Sequence, residues 1–288
     1  SFPSQPNGFD RPNRIILKQH DIVSSEVDYN QYIVGPGDSF ILDIVNLNLA
    51  SEYLLIVSLT GEILIPLIGT VNVKDMKLSE AITLIVEECK KQYEDSKVNI
   101  ILYQSGKFRI NVGSSYNINS DFEVTSLTRL SELYEQFSNR LLKNKIDIDW
   151  VSNREIIIIR DNDTLKYDLL KYRFDGDYIN NPYLRRNDQI IVDNYNKSIM
   201  LSGLNSKPKR FQIKDNQKLD EILLISGALA NSSELDSIQI FKNHNSHNDN
   251  IILSIIDSSD FILENNDNLV FRPYHSKYER NFIELSGE

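Results

Sequence analysis

Cysteine occurs once in this chain, at Cys89, so no intrachain disulfide can form and cysteine usage is silent about compartment. The thiol sits with Ile82, Ile85 and Val86 at helical spacing, which reads as an inert buried side chain rather than a nucleophile. Basic charge is in deficit: Lys and Arg total 31 against 41 Asp and Glu, a formal net charge of -10. Duplex nucleic-acid binders and proteins that adhere to anionic lipid carry a basic field, so neither class fits. Long apolar runs are missing too. Those present, such as Ile63 to Ile68, are broken by Pro and Gly and are too short to span a bilayer. Ser1 to Gly8 lack the basic stretch and apolar run of a signal peptide, as in a cytosolic chain or one already trimmed. What remains, 41% hydrophobic and 25% charged residues, is the composition of a folded globular chain. Its length suits two or three domains.

Catalytic constellations are also lacking. No Gly-x-Ser-x-Gly elbow occurs, and Gly35-Pro36-Gly37 puts a proline where a phosphate cradle needs a backbone donor. His244-Asn245-Ser246-His247, with Asp249 nearby, is the best metal candidate. It lies in a polar segment that reads as a loop between strands, where nothing fixes the two imidazoles. Asp161-Asn162-Asp163 and Asp175-Gly176-Asp177 resemble pieces of a calcium loop, but neither is followed by the twelfth-position Glu, and both read as hairpin turns. Carboxylates are plentiful, yet sequence alone does not pair them across a cleft. No catalytic residue, metal ligand or cofactor is therefore expected.

The first 31 residues are rich in Pro, Asn and Ser and read as an extended arm. Ile33-Val34-Gly35-Pro36-Gly37-Asp38 then makes a turn into a strand at Phe40 to Val45. Leu55 to Leu59 leads through Thr60-Gly61 into Glu62 to Pro66 as a hairpin, and Gly69 turns into Thr70 to Val73. The period then switches: Leu78, Ile82, Ile85, Val86 and Cys89 share a helical face, with Ser79 and Glu80 placed for an N-cap and a first-turn acid. A strand at Val98 to Tyr103 follows.

The rest holds an internal repeat. Ile110 to Gly113, Phe122 to Val124, Leu130 and Leu133 correspond to Met200 to Gly203, Phe211 to Ile213, Leu219 and Ile222. Ile156 to Arg160 corresponds to Ile238 to Lys242, and Leu184-Arg185-Arg186-Asn187-Asp188-Gln189-Ile190 to Leu263-Glu264-Asn265-Asn266-Asp267-Asn268-Leu269. A repeat of this length is a small domain rather than a solenoid unit. Each copy reads as a strand pair, one helix and further strands, a β-grasp-like α+β layer. Phe282 to Gly287 restates Ile199 to Gly203, as if a third copy began there.

These residues resemble a known family, the outer-membrane polysaccharide export proteins. Tyr32-Ile33-Val34-Gly35-Pro36-Gly37-Asp38 looks like its opening signature, and Thr60-Gly61 through Pro66 to Gly69 like its second. The helix from Leu78 and the strand from Val98 follow in the expected order. The two repeats are similar to the soluble-ligand-binding β-grasp (SLBB) domains of that family, with Gly203 and Gly227 as turn-makers. The departures are Ser114-Ser115 after Gly113, Lys209 after Pro208, and Ser138-Asn139 where the second copy has Gly227-Ala228. The resemblance implies an arm at 1–31, an export domain at 32–105, a degenerate first SLBB-like domain at 106–195, a second at 196–275, and a third opening at 276–288.

The resemblance further implies a periplasmic, non-enzymatic conduit. Its partners would be copies of itself in a ring, an inner-membrane co-polymerase or synthase, and the capsule or exopolysaccharide chain. The outer membrane would be reached only through segments outside this chain. An acidic inner wall would repel an anionic polymer, so a charge of -10 suggests a neutral glycan or acids on the outer faces. The competing readings are a monomeric periplasmic ligand-binding β-grasp protein and, less well supported, a polysaccharide-modifying enzyme.

Overall fold

Alternation sets the first sheet. In β1 (Ser39–Val45), Phe40, Leu42 and Ile44 are buried while Ile41 and Asp43 between them are half-exposed. β1 lies between β2 (Ala50–Ile56) and β5 (Lys97–Gln104) and is antiparallel to both. β3 (Glu62–Ile65) and β4 (Gly69–Asn72) form a separate hairpin. This computed structural model describes residues 27–45, 50–116, 118, 120–203, 208–227, 235–244, 247–254 and 260–273. Most of the expected arm and the whole of the expected third repeat lie outside them.

α1 (Leu78–Gln92) closes the first core by burying Leu78, Ala81, Ile85 and Cys89. Ile82 and Val86, expected on that stripe, pack partly buried at its edge. The helix begins earlier than Ser79. Lys77 is the N-cap residue, and its N–H donates to the Glu80 carboxylate at 3.3 Å. The start is set from outside the helix, because the Leu78 N–H donates to Tyr32 O and the Ser79 N–H to Tyr29 O.

Two five-stranded sheets follow with one strand order. In the first, β7 (Asp121–Thr125), β6 (Lys107–Gly113), β10 (Gln189–Ile191), β8 (Ile156–Arg160) and β9 (Asp163–Tyr167) are successive neighbours. In the second the sequence is β12 (Lys209–Gln212), β11 (Ser198–Ser202), β15 (Asn268–Pro273), β13 (Leu235–His244) and β14 (His247–Ser254). The central pair is parallel in each, β6 with β10 and β11 with β15. A helix follows the opening strand pair in each: α2 (Leu130–Lys143) and α4 (Leu219–Ile225). The chain is therefore multidomain α+β, with the repeat visible as repeated topology.

The two helices differ in length for a local reason. Gly227 takes φ 75° just beyond α4 and ends it. At the equivalent place in the first repeat Ser138 and Asn139 continue the helix, which runs on to Lys143. The first repeat also carries a short helix, α3 (Leu169–Asp175), between β9 and β10.

The chain forms two compact units, neither of them a continuous segment. The first reaches Ile110 and adds Asp121–Leu133 and Tyr183–Asn187. Its core gathers Phe40, Leu42, Ile44, Ile63, Ile65, Val73 and the buried face of α1. The second takes Asn111–Ser120, Tyr134–Pro182 and the residues from Asp188 onward. There Ile199, Leu219, Ile222, Ile238, Ile240, Leu269 and Phe271 form one cluster.

Candidate functional site

Pro36 and Gly37 turn the chain into β1. Gly37 takes φ 83°, a left-handed value that glycine adopts without strain. Asp38 follows and is fully buried. Its carboxylate accepts the N–H of Gly106 at 2.6 Å and of Gly35 at 2.9 Å. The Asp38 carbonyl accepts from Val57 N–H, tying the turn to the end of β2. Gly106 lies so close that a Cβ there would stand 2.5 Å from Pro36 O and 2.6 Å from Gly37 C, both backbone atoms. Beside it the Tyr32 hydroxyl donates to Ser105 Oγ at 2.7 Å.

Arg186 completes this cluster from the 183–187 segment of the same unit. It donates to the carbonyls of Pro36 and Gly106 and stands 3.9 Å from the Asp38 carboxylate and 4.9 Å from the Phe108 ring. Gly35 leaves room for it, since a Cβ there would meet Arg186 Nη1 at 2.2 Å. Burial pushes the Asp38 carboxyl above the usual carboxylate range, against the N–H groups of Gly106 and Gly35, the Tyr32 hydroxyl and the Arg186 charge. Burial likewise raises the Tyr32 phenol, and the Asp38 charge adds to it. With both groups buried and mutually bonded, this is a structural joint that opens the domain.

The same device closes each repeat. Asn187 and Asn266 take φ 68° and 70°, and each precedes a buried aspartate, Asp188 or Asp267. Asp267 accepts the Glu264 N–H at 2.9 Å, as Asp38 accepts that of Gly35. Asp188 is held by Arg160 through two bonds of 2.7 Å. Lys242, at the equivalent position, lies 3.8 Å from Asp267 and 3.0 Å from Glu264. Arg160 and Lys242 stand at corresponding positions of β8 and β13, which the internal repeat aligns, but their pairing with the closing aspartates was not read from the sequence.

The other turn-makers named from sequence are distributed rather than gathered. Gly61 takes φ 88° against the Lys74 side chain, Pro66 opens the β3–β4 turn, and Gly69 takes φ 119° as β4 begins. Gly203 takes φ 90°, where a Cβ would stand 2.3 Å from Phe271 O. Asp161 and Asn162 form the β8–β9 hairpin turn with φ 52° and 71°, as expected. Asp175-Gly176-Asp177 makes no hairpin. Gly176 at φ 72° ends α3, and Asp177 caps a short 3-10 helix by accepting the Ile179 N–H at 2.9 Å. Nor is His244 to His247 a long loop, because β13 and β14 pair up to those two residues; their side chains lie outside the described set. Among the described residues no three His, Cys, Asp or Glu group as metal ligands.

Within the second unit the two repeats meet along a polar seam. Buried Arg154 bonds Asp168 at 3.2 Å and the Gln212 carbonyl at 2.9 Å, while Ser152 Oγ donates to Gln212 Oε1 at 2.9 Å. Lys214 reaches the same Asp168 at 2.7 Å. Beside the seam opens a cleft of about 290 Å³, walled by α2, the Ile148–Asn153 segment, Tyr195 and β12. Neither the seam nor the cleft left a pattern in the sequence.

The first unit thus carries an α+β domain of one helix on a three-stranded sheet, opened by a Gly-Pro-Gly-Asp joint. Residues 26–103 match the family model described as polysaccharide biosynthesis/export protein. That segment holds the Gly-Pro-Gly-Asp turn, the first sheet except its last residue, the β3–β4 hairpin and α1, and the family matched is the one that the sequence resembles. The match supports a polysaccharide-export protein. No curated protein matches the chain. Among the described residues no helix is long and apolar enough to cross a membrane.

Proposed function

We propose that this chain is the periplasmic part of a polysaccharide exporter, in which copies of itself form a ring that conducts capsule or exopolysaccharide toward the outer membrane. The match of residues 26–103 to the export family carries the reading. The paired repeats serve as SLBB-like modules behind that domain, receiving polymer from an inner-membrane synthase or co-polymerase. Transport of this kind works by enclosure and weak polar contact, with no bond made or broken. The solvent side of the first sheet supports self-association: Leu54 and Ile101 flank Ile41 across three strands and are 46% and 53% exposed. Apolar rows of this sort mark interaction surfaces.

Deleting the gene in the source bacterium and scoring surface polysaccharide against the intracellular pool tests the reading. Loss of surface glycan with intact or accumulated precursor is expected. Unchanged surface glycan would overturn export and leave a β-grasp protein that binds some other ligand.

A further inference from the structure

We propose that the cleft between the two repeats binds a saccharide bearing a negative charge, an inference that rests on the export reading for its polymer. Arg173, Lys209 and Arg210 all line the cleft, and among the described residues none of them is ion-paired with a carboxylate. Their charge is therefore open to a ligand in a chain whose net charge is -10. Arg210 is already positioned: it donates to Ser198 Oγ at 3.0 Å and lies 4.2 Å over the Trp150 ring. A guanidinium fixed in this way is suited to a carboxylate or phosphate, because little further ordering is needed on binding.

The remaining walls suit a sugar. Tyr195, its ring 5.7 Å from that of Trp150, and the side chains of Leu142 and Leu170 offer apolar surface to a pyranose face. Asn139, Asn153 and Gln212 offer amides, and Glu135 and Asp149 offer acceptors for hydroxyl protons. Three cations against two carboxylates leave the cleft positive, so a polymer with acidic residues would be drawn to it. The volume is near the low end of the roughly 300–1,000 Å³ typical of small-molecule pockets, which admits a short saccharide segment. The Arg154–Asp168–Gln212 seam alongside holds both walls in place.

Trp150 is the chain's one tryptophan, so its fluorescence reports ligand next to Arg210. The full chain is titrated with a glucuronic-acid-containing tetrasaccharide, with its carboxyl-reduced counterpart, and with inorganic phosphate. A saturable change is expected with the acidic tetrasaccharide, weakened about tenfold or more by carboxyl reduction and by Arg173→Gln/Lys209→Gln. Both substituted side chains are exposed, and an unchanged thermal transition confirms that the double variant is folded. Equal binding of the neutral sugar, no saturable change, or indifference to the double variant would each overturn the proposal. Phosphate binding as tightly as the tetrasaccharide would reduce the cleft to an anion site and overturn its saccharide part. The export reading stands or falls separately, on the deletion phenotype.

Discussion

Replacing Arg160 by methionine tests what holds the closing turn of the first repeat. The Asp188 side chain is 0% exposed, that of Arg160 is 12% exposed, and two bonds of 2.7 Å join them. Methionine keeps most of the aliphatic volume but strands the carboxylate without this cation. Removing one partner of a buried pair of this kind costs about 3–5 kcal/mol. The second repeat supplies the comparison. Lys242 is 3.8 Å from buried Asp267, and its closer partner Glu264 is 47% exposed, so Lys242→Met costs about 1–2 kcal/mol. Trp150 shares a compact unit with both pairs, and its fluorescence follows urea unfolding of either variant. With a denaturant slope of roughly 1–3 kcal/mol/M, Arg160→Met lowers the midpoint by about 1–5 M. Lys242→Met lowers it by less than half as much. The opposite order, or a loss below about 1 kcal/mol for Arg160→Met, would refute the reasoning. Arg160→Met with Asp188→Leu recovers most of the loss, because the penalty lies in the stranded charge.

Three further outcomes follow from the joint and the glycines. Gly106→Ala forces a Cβ into immovable backbone and costs about 2–4 kcal/mol, whereas Gly35→Ala displaces only the end of Arg186 and costs about 1–2; amide exchange of β1 measures both. Gly203→Ala meets Phe271 O at 2.3 Å with φ 90° and destabilises, while Gly113→Ala, its repeat partner, meets Ile190 O at 3.5 Å and is tolerated, as read by thermal transitions. Asp38 has its carboxyl raised above the ordinary 3.8 by burial, so the folded unit retains a proton that the unfolded chain has released. Its contribution is complete below pH 3.8 and is lost as pH rises through the raised value. Asp38→Asn flattens that limb of a stability–pH curve followed by circular dichroism.

The elements legible beforehand were those fixed by neighbours in the chain. The Asp161-Asn162 hairpin, the α1 stripe and the repeated Leu-x-x-Asn-Asp closure each depend on residues within a few positions of one another. Where a local signal competed with a distant partner, the distant partner won. Ser79 looked like a cap, but Tyr29 and Tyr32 start α1 two residues earlier in the chain, with Lys77 as its cap. Asp175-Gly176-Asp177 looked like a hairpin, yet Gly176 ends a helix whose first residue, Leu169, is anchored by the Asn153 carbonyl.

By itself the sequence determined the class of the chain, its repeat, the turn positions and the export signature, because hydrophobic period and positive-φ residues act over one or two turns. Only the tertiary structure decided that Arg186 crosses 150 residues to bond Pro36, that Gly106 must be bare, and that Arg160 rather than a nearer base holds Asp188. The same holds for the three cations of the cleft, where Arg173 of α3 is brought beside the adjacent Lys209 and Arg210 of β12. A charge leaves no periodic trace, and which carboxylate or ligand it serves is set by the fold that brings the two together.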